Sequence, residues 1–121
     1  MEPKKSMHIH ARGKSFTYAF NGLWLLFKEE PNAKLHALAT VAVIIAGFVR
    51  HLGPSQWIAL VVAIGLVWIT EAINTCIERL CDFCSDNKWH PAIKIIKDIA
   101  AAAVMVAAVV SIVIGIIVFF F

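Results

Sequence analysis

The sequence predicts an all-α integral membrane protein with three spanning helices, and three observations lead there. Of the 121 residues, 60% are hydrophobic and only 16% are charged, a balance outside the usual range of soluble globular domains. The apolar residues gather into three runs, the first short and the other two longer than the roughly 20 residues a helix needs to cross a hydrocarbon core. The breaks between runs are polar: Arg50-His51-Leu52-Gly53-Pro54, and the stretch from Asp82 to His90. A soluble domain this small leaves a large share of its chain facing water, so lipid must cover the rest.

Residues 1–12 read as a flexible N-terminus, with one membrane domain over 13–121. Within it, 13–30 reads as an amphipathic helix on the membrane surface. Phe16, Ala19, Phe20, Leu23, Trp24 and Phe27 fall near a 3.6-residue period, with Lys14, Thr17, Asn21 and Lys28 between them. A helix packed on the protein's own core is the competing reading. A signal peptide is disfavoured, because no continuous apolar core or small-residue cleavage site follows the basic start.

The first span covers about 33–49 and stops where a charge, a glycine and a proline coincide. The second covers about 55–80, with Ser55 as N-cap and Trp57 suited to a bilayer interface. The third covers about 91–121, opened by Pro91 in the first helical turn. Ala100 to Ala103 and Gly115 allow close helix packing, and Phe119-Phe120-Phe121 reads as an interfacial anchor.

Lys4, Lys5, Arg12, Lys14, Lys28 and Lys34 precede or open the first span, and Arg50 alone marks the first turn. Arg79, Lys88, Lys94 and Lys97 flank the second loop. The positive-inside rule therefore places the N-terminus and second loop in the cytoplasm. The net charge of +3 and pI of 8.9 do not point to nucleic acid, since no basic face with interleaved aromatics accompanies them.

Chemistry concentrates in Glu71-Ala72-Ile73-Asn74-Thr75-Cys76-Ile77-Glu78. Ionisable groups at membrane depth cost a few kcal/mol each, so a span that keeps two of them has a use for them. At about 100° and 1.5 Å per residue, Glu71, Asn74, Thr75 and Glu78 share one helix face, and the carboxylates stand about 10 Å apart along the axis. This suits a water-side carboxylate that binds a metal–nucleotide complex and a deeper one that meets a group in the membrane. Mg²⁺ is the fitting metal, being hard, oxygen-seeking and commonly held by one or two carboxylates plus phosphates. The competing reading is a structural polar seam built on Asn74 and Thr75. Lys97 and Asp98, about two turns into the third span, suit phosphate neutralisation and acceptance from an adenine or ribose group. Lys94 reads as a snorkelling lysine.

The run Glu71 to Glu78, followed by Asp82 and Lys97-Asp98-Ile99-Ala100-Ala101-Ala102-Ala103-Val104, closely resembles the signature of the small prokaryotic diacylglycerol kinase family, which includes the undecaprenol kinases. The resemblance extends from Ser15-Phe16-Thr17-Tyr18-Ala19-Phe20-Asn21-Gly22 through Glu29-Glu30-Pro31-Asn32 to the third span. It implies a homotrimeric enzyme of the bacterial cytoplasmic membrane that moves the γ-phosphate of MgATP to a lipid hydroxyl. By motif, it implies Glu71 as general base, Asn74 as a supporting hydrogen-bonding residue, and Glu30 with Glu78 as Mg²⁺ ligands. It further implies Lys97 as a phosphate contact, and Asp98 and Tyr18 in the nucleotide site. Arg12 and Lys14 are weaker carry-overs, because the basic positions before the tyrosine do not align uniquely. Asn32-Ala33-Lys34-Leu35-His36 resembles the undecaprenol kinase branch, since diacylglycerol-specific members often carry a carboxylate where this chain has His36.

The chemistry agrees with these expectations. Phosphoryl transfer asks for positioning, charge neutralisation and a base near the nucleophile, and an apolar setting makes a carboxylate a stronger base. No P-loop, Gly-rich nucleotide loop or His-Arg-Asp run occurs. A small oligomeric proton- or cation-coupled transporter using Glu71 is the alternative, and it would not need Glu30, Lys97 and Asp98. A non-catalytic scaffold ranks third. Cys76, Cys81 and Cys84 read as reduced small residues, and His8-Ile9-His10 as an exposed terminus rather than a metal site.

Overall fold

The structure, a computed structural model, describes the backbone of residues 5–121 and the side chains from Arg12 onward. Four helices follow one another: α1 (Lys5–Glu29), α2 (Pro31–Val49), α3 (Pro54–Ser85) and α4 (Pro91–Phe120). The chain divides into two compact units, Met1–Lys34 and Leu35–Phe121.

The first unit holds α1 and the opening turn of α2. α1 begins at Lys5, earlier than residue 13, because Met7, Ala11, Arg12 and Lys14 are tolerant helix formers with no proline among them. The part of the expected flexible segment before Lys5, and the His8 and His10 side chains, lie outside the described residues. Phe16, Phe20, Leu23, Trp24 and Phe27 are exposed, whereas Leu26, absent from the predicted apolar set, is buried. Trp24 and Phe27 stack one turn apart, with ring centroids 6.2 Å from each other.

α2, α3 and α4 are all long and apolar enough to cross a membrane. Prolines start each of them, their fixed φ suiting a first turn that has no use for an N–H. α3 starts at Pro54 with Gly53 as its cap, not at Ser55. The side chain of Gln56, at the third helical position, accepts from the Gly53 N–H at 2.9 Å and so satisfies the cap's own backbone donor. Beyond Leu80, α3 continues for another turn to Ser85. Nothing in Cys81-Asp82-Phe83-Cys84 breaks a helix; the stop comes at Asp86 and Asn87, both left-handed with φ of 53° and 57°. The predicted polar loop therefore shrinks to 86–90, and Asp82 belongs to a helix. His90 caps α4, its Nδ1 accepting from the Ala92 N–H at 3.1 Å.

In the second unit α3 and α4 pack closely over small side chains. Ala63, Ala100 and Ala107 are buried along with Leu60, and Ser111 on α4 reaches the Ala63 carbonyl of α3 at 3.0 Å. α2 meets α3 through longer side chains instead. Phe48 and Trp57 pack with ring centroids 4.8 Å apart, and Trp57 lies against Gly47. Arg50, in the turn between these helices, donates to the Phe119 carbonyl at 2.9 Å, while Gln56 donates to that of Val118 at 3.4 Å. Both satisfy last-turn carbonyls of α4 that have no partner within the helix. Most large apolar side chains of these helices are exposed, the surface that a lipid environment covers.

Candidate active site

α3 carries the centre of the site. Trp57 is the aromatic residue suited to one bilayer interface, and Glu71 lies about 21 Å and Glu78 about 31 Å further along the axis at 1.5 Å per residue. A hydrocarbon core of about 30 Å beginning at Trp57 and crossed by an upright helix would end near Glu78 and leave Glu71 roughly 10 Å inside it.

The sequence-predicted face is present. Glu71, Asn74 and Thr75 are buried, and Glu78 is half-buried. Asn74 donates Nδ2–H to Oε1 of Glu78 at 3.1 Å, linking the two levels by one helical turn. Glu71 is only 1% exposed. Its Oε2 meets Nε2 of His36, from α2, at 3.1 Å. Its Oε1 is buried with no hydrogen-bond partner, as are Oδ1 of Asn74 and Oγ1 of Thr75. Buried polar atoms normally find partners, because leaving one unmade costs about 1–3 kcal/mol. Three such atoms lie within five residues on one helix face, which concentrates hydrogen-bonding capacity at that point.

Lys97 and Asp98 are displayed beyond this buried centre. Lys97 Nζ forms a 2.5 Å ion pair with Asp82 on α3, both side chains more than a third exposed, an arrangement worth little in stability. Asp98 pairs with Lys94 at 2.6 Å, one turn back along α4. Lys94, read from sequence as a snorkelling residue, is thus an ion-pair partner, and the Asp98 carboxylate is already engaged. With Ser85, Trp89 and His90, these four residues line a polar hollow of about 320 Å³ beneath the α3–α4 loop.

Tyr18, Arg12 and Lys14 are exposed on α1 and Glu30 is half-buried, all four within the first unit. Of the expected Mg²⁺ pair, Glu78 therefore belongs to the second unit and Glu30 to the first. Among the described residues, no group of three or more His, Cys, Asp or Glu is gathered to hold a metal. The Glu78 carboxylate, hard, half-buried and oriented by Asn74, nonetheless has the chemistry of a Mg²⁺ ligand, because such ions are often held by one or two carboxylates and the substrate's phosphates. Cys76 and Cys84 are exposed thiols and Cys81 a buried one.

Two features escaped the reading of site residues. His36 is a direct partner of Glu71, and Trp68 donates Nε1–H to Oγ1 of Thr40 at 3.0 Å beside it. A polar pair inside the opening turns of an apolar span was the available signal for His36 and Thr40.

Three spanning helices around a buried carboxylate with an unmet oxygen define a membrane-embedded protein with a polar site inside its hydrophobic zone. The comparisons with known proteins make the class specific. The family model described as prokaryotic diacylglycerol kinase matches residues 17–119. Undecaprenol kinase from Bacillus subtilis is 42% identical over 106 residues, covering 88% of this chain and 85% of that one. A diacylglycerol kinase from Synechocystis is 36% identical over 101 residues, covering 84% of this chain but only 58% of that protein. The chain belongs to the prokaryotic diacylglycerol kinase family and is a membrane lipid kinase.

Proposed function

We propose that this protein transfers the γ-phosphate of MgATP to the hydroxyl of undecaprenol, serving recycling of a cell-envelope lipid carrier in the bacterial cytoplasmic membrane. Glu71 carries the reading: it is a carboxylate buried about 10 Å inside the hydrocarbon zone, with one oxygen held and the other unpartnered. A lipid hydroxyl approaching from the membrane supplies the donor that Oε1 lacks.

In the reaction, Glu71 takes the hydroxyl proton as the lipid oxygen bonds to the γ-phosphorus. The bond from that phosphorus to the bridging oxygen breaks, and ADP leaves with the electron pair. Asn74 orients the Glu78 carboxylate by its 3.1 Å hydrogen bond. Glu78 and Glu30 would hold Mg²⁺, which when bound neutralises phosphate charge. Lys97 exchanges its ion pair with Asp82 for the transferred phosphate. The hollow bounded by Lys94, Lys97, Asp98 and Trp89 receives the nucleotide with Asp98; for Tyr18, Arg12 and Lys14 the family resemblance alone supports a nucleotide-binding role. Positioning and charge neutralisation dominate such a mechanism.

Support for the acceptor comes from two sides. The undecaprenol kinase relative matches along most of both lengths. An apolar cavity of about 190 Å³ among α2, α3 and α4 has His36 on its wall, beside Thr40, Leu60 and Ile64, and accommodates part of a hydrocarbon chain close to Glu71. A homotrimer, with N-terminus and site facing the cytoplasm, is the assembly in which we place the reaction. The basic residues around the α3–α4 loop favour that orientation.

Acceptor profiling with radiolabelled ATP and Mg²⁺ tests the proposal. Label should enter undecaprenol, with diacylglycerol as the weaker acceptor; preferential labelling of diacylglycerol would move the chain to the other branch. No label in either lipid would favour a proton- or cation-coupled transporter built on Glu71.

A further inference from the structure

His36 has so far been a marker of the acceptor. Its geometry shows more. Nε2 of His36 lies 3.1 Å from Oε2 of Glu71 across the α2–α3 interface, so with Glu71 as a carboxylate the imidazole N–H is the donor, and the His36 side chain is itself only 18% exposed. Trp68 packs on the imidazole and is itself tied to α2 through Thr40. Thr40, one turn along α2, donates its hydroxyl to the His36 carbonyl at 2.7 Å. The same hydroxyl oxygen accepts from Trp68 Nε1–H at 3.0 Å. The Trp68 indole meets the imidazole edge-on, with ring centroids 6.3 Å apart.

Trp68 and Glu71 are three residues apart on α3, and His36 and Thr40 are four apart on α2, so each pair shares a helix face. The four residues close a circuit from α3 to α2 and back. Such a circuit ties α2 to α3 at the point where the Glu71 carboxylate is buried.

The geometry points to His36 as the positioning residue for Glu71, framed by Thr40 and Trp68. The inference rests on the reading of Glu71 as general base. A glutamate side chain has three rotatable bonds and two chemically equivalent oxygens. With Oε2 held by His36, Oε1, buried and without a partner, is the oxygen left to take the hydroxyl proton. The bond to His36 also orients the carboxylate before substrate arrives, so that cost does not fall in the transition state.

The test uses the purified full-length chain in lipid–detergent micelles, with undecaprenol and MgATP. His36→Leu removes the donor at similar bulk, and should lower kcat roughly 10- to 100-fold, the penalty of a reacting group misplaced by about 1 Å. KM for ATP should stay within about twofold, because His36 does not reach the nucleotide. His36→Gln, which keeps an N–H donor, should recover a substantial part of the loss. Trp68→Phe, which keeps a ring but not the bond to Thr40, should give a smaller decrease in kcat.

The decisive measurement is the double variant. If His36 acts through Glu71, then His36→Leu/Glu71→Gln is no slower than Glu71→Gln alone. Multiplying losses, or a folded His36→Leu with kcat within about threefold of wild type, would overturn the inference. Near-normal transfer by Glu71→Gln overturns the general-base reading instead, so the two failures are distinguishable. Where leucine prevents folding, His36→Asn replaces it, being polar but too short to reach Glu71; wild-type kcat there also refutes the positioning role.

Discussion

A single methyl group at Gly47 should loosen the seam between α2 and α3. A Cβ built there would lie 2.7, 2.9 and 3.2 Å from three carbons of the Trp57 indole. Carbon atoms rest at about 3.5–4.0 Å, so the ring must retreat by nearly 1 Å. It cannot do so freely, because its neighbour Phe48 already packs on it with centroids 4.8 Å apart. Overpacking of this kind costs about 1–3 kcal/mol, while replacing helical glycine by alanine returns about 1 kcal/mol. The net expectation for Gly47→Ala is a loss of about 1 kcal/mol, or roughly 3–6 °C in the melting midpoint for a chain of this size. Thermal unfolding in detergent, followed by circular dichroism, measures it. Trp57→Phe supplies the control: its smaller ring leaves room for the methyl, so Gly47→Ala in that background should be neutral or stabilising. An equal destabilisation in both backgrounds, or none in either, would show that the contact with Trp57 does not hold these helices.

Glu71→Gln should fold normally, since an amide still accepts from His36, but lose about 10²- to 10⁴-fold in lipid phosphorylation as a missing general base does. Unimpaired transfer would remove Glu71 from that role. Glu78→Gln should raise the Mg²⁺ concentration needed for half-maximal activity, and a magnesium titration showing no change would count against Glu78 as ligand. Lys97→Met should raise KM for ATP and lower kcat, whereas Asp82→Asn, which removes the competing partner, should leave the nucleotide KM equal or lower. At the α2–α3 turn, His51 holds a φ of 52°, which glycine tolerates better. His51→Gly should therefore raise stability by up to about 1 kcal/mol in the same melting assay.

What the sequence made legible was local. The three spans and the shared face of Glu71, Asn74, Thr75 and Glu78 follow from hydropathy and a 3.6-residue period, and Pro91 marked the start of α4, whereas the starts of α2 at Pro31 and α3 at Pro54 were missed. The end of α3 did not follow either, because hydropathy reports where lipid ends and not where a helix does, and the Asp82 that breaks the apolar run does not break the helix. The partners His36 and Glu71, 35 residues apart, depend on the register between two apolar helices. Uniformly apolar faces specify that register weakly, and the pairing of Thr40 with Trp68 and of Gly47 with Trp57 was hidden for the same reason. The Lys94–Asp98 pair is different: its i, i+4 spacing was readable, and it was passed over because snorkelling already explained the lysine.

At 19 residues, α2 is much the shortest of the three spans, against 32 for α3 and 30 for α4. At 1.5 Å per residue it measures about 28 Å, close to the thickness of an ordinary hydrocarbon core. The longer helices can tilt or protrude when a bilayer thickens or thins, but α2 has little length to spare. Because His36 rides on α2 and Glu71 on α3, bilayer thickness becomes a mechanical input to the carboxylate. Lipids with longer or shorter chains should therefore tune turnover without touching a single residue of the site.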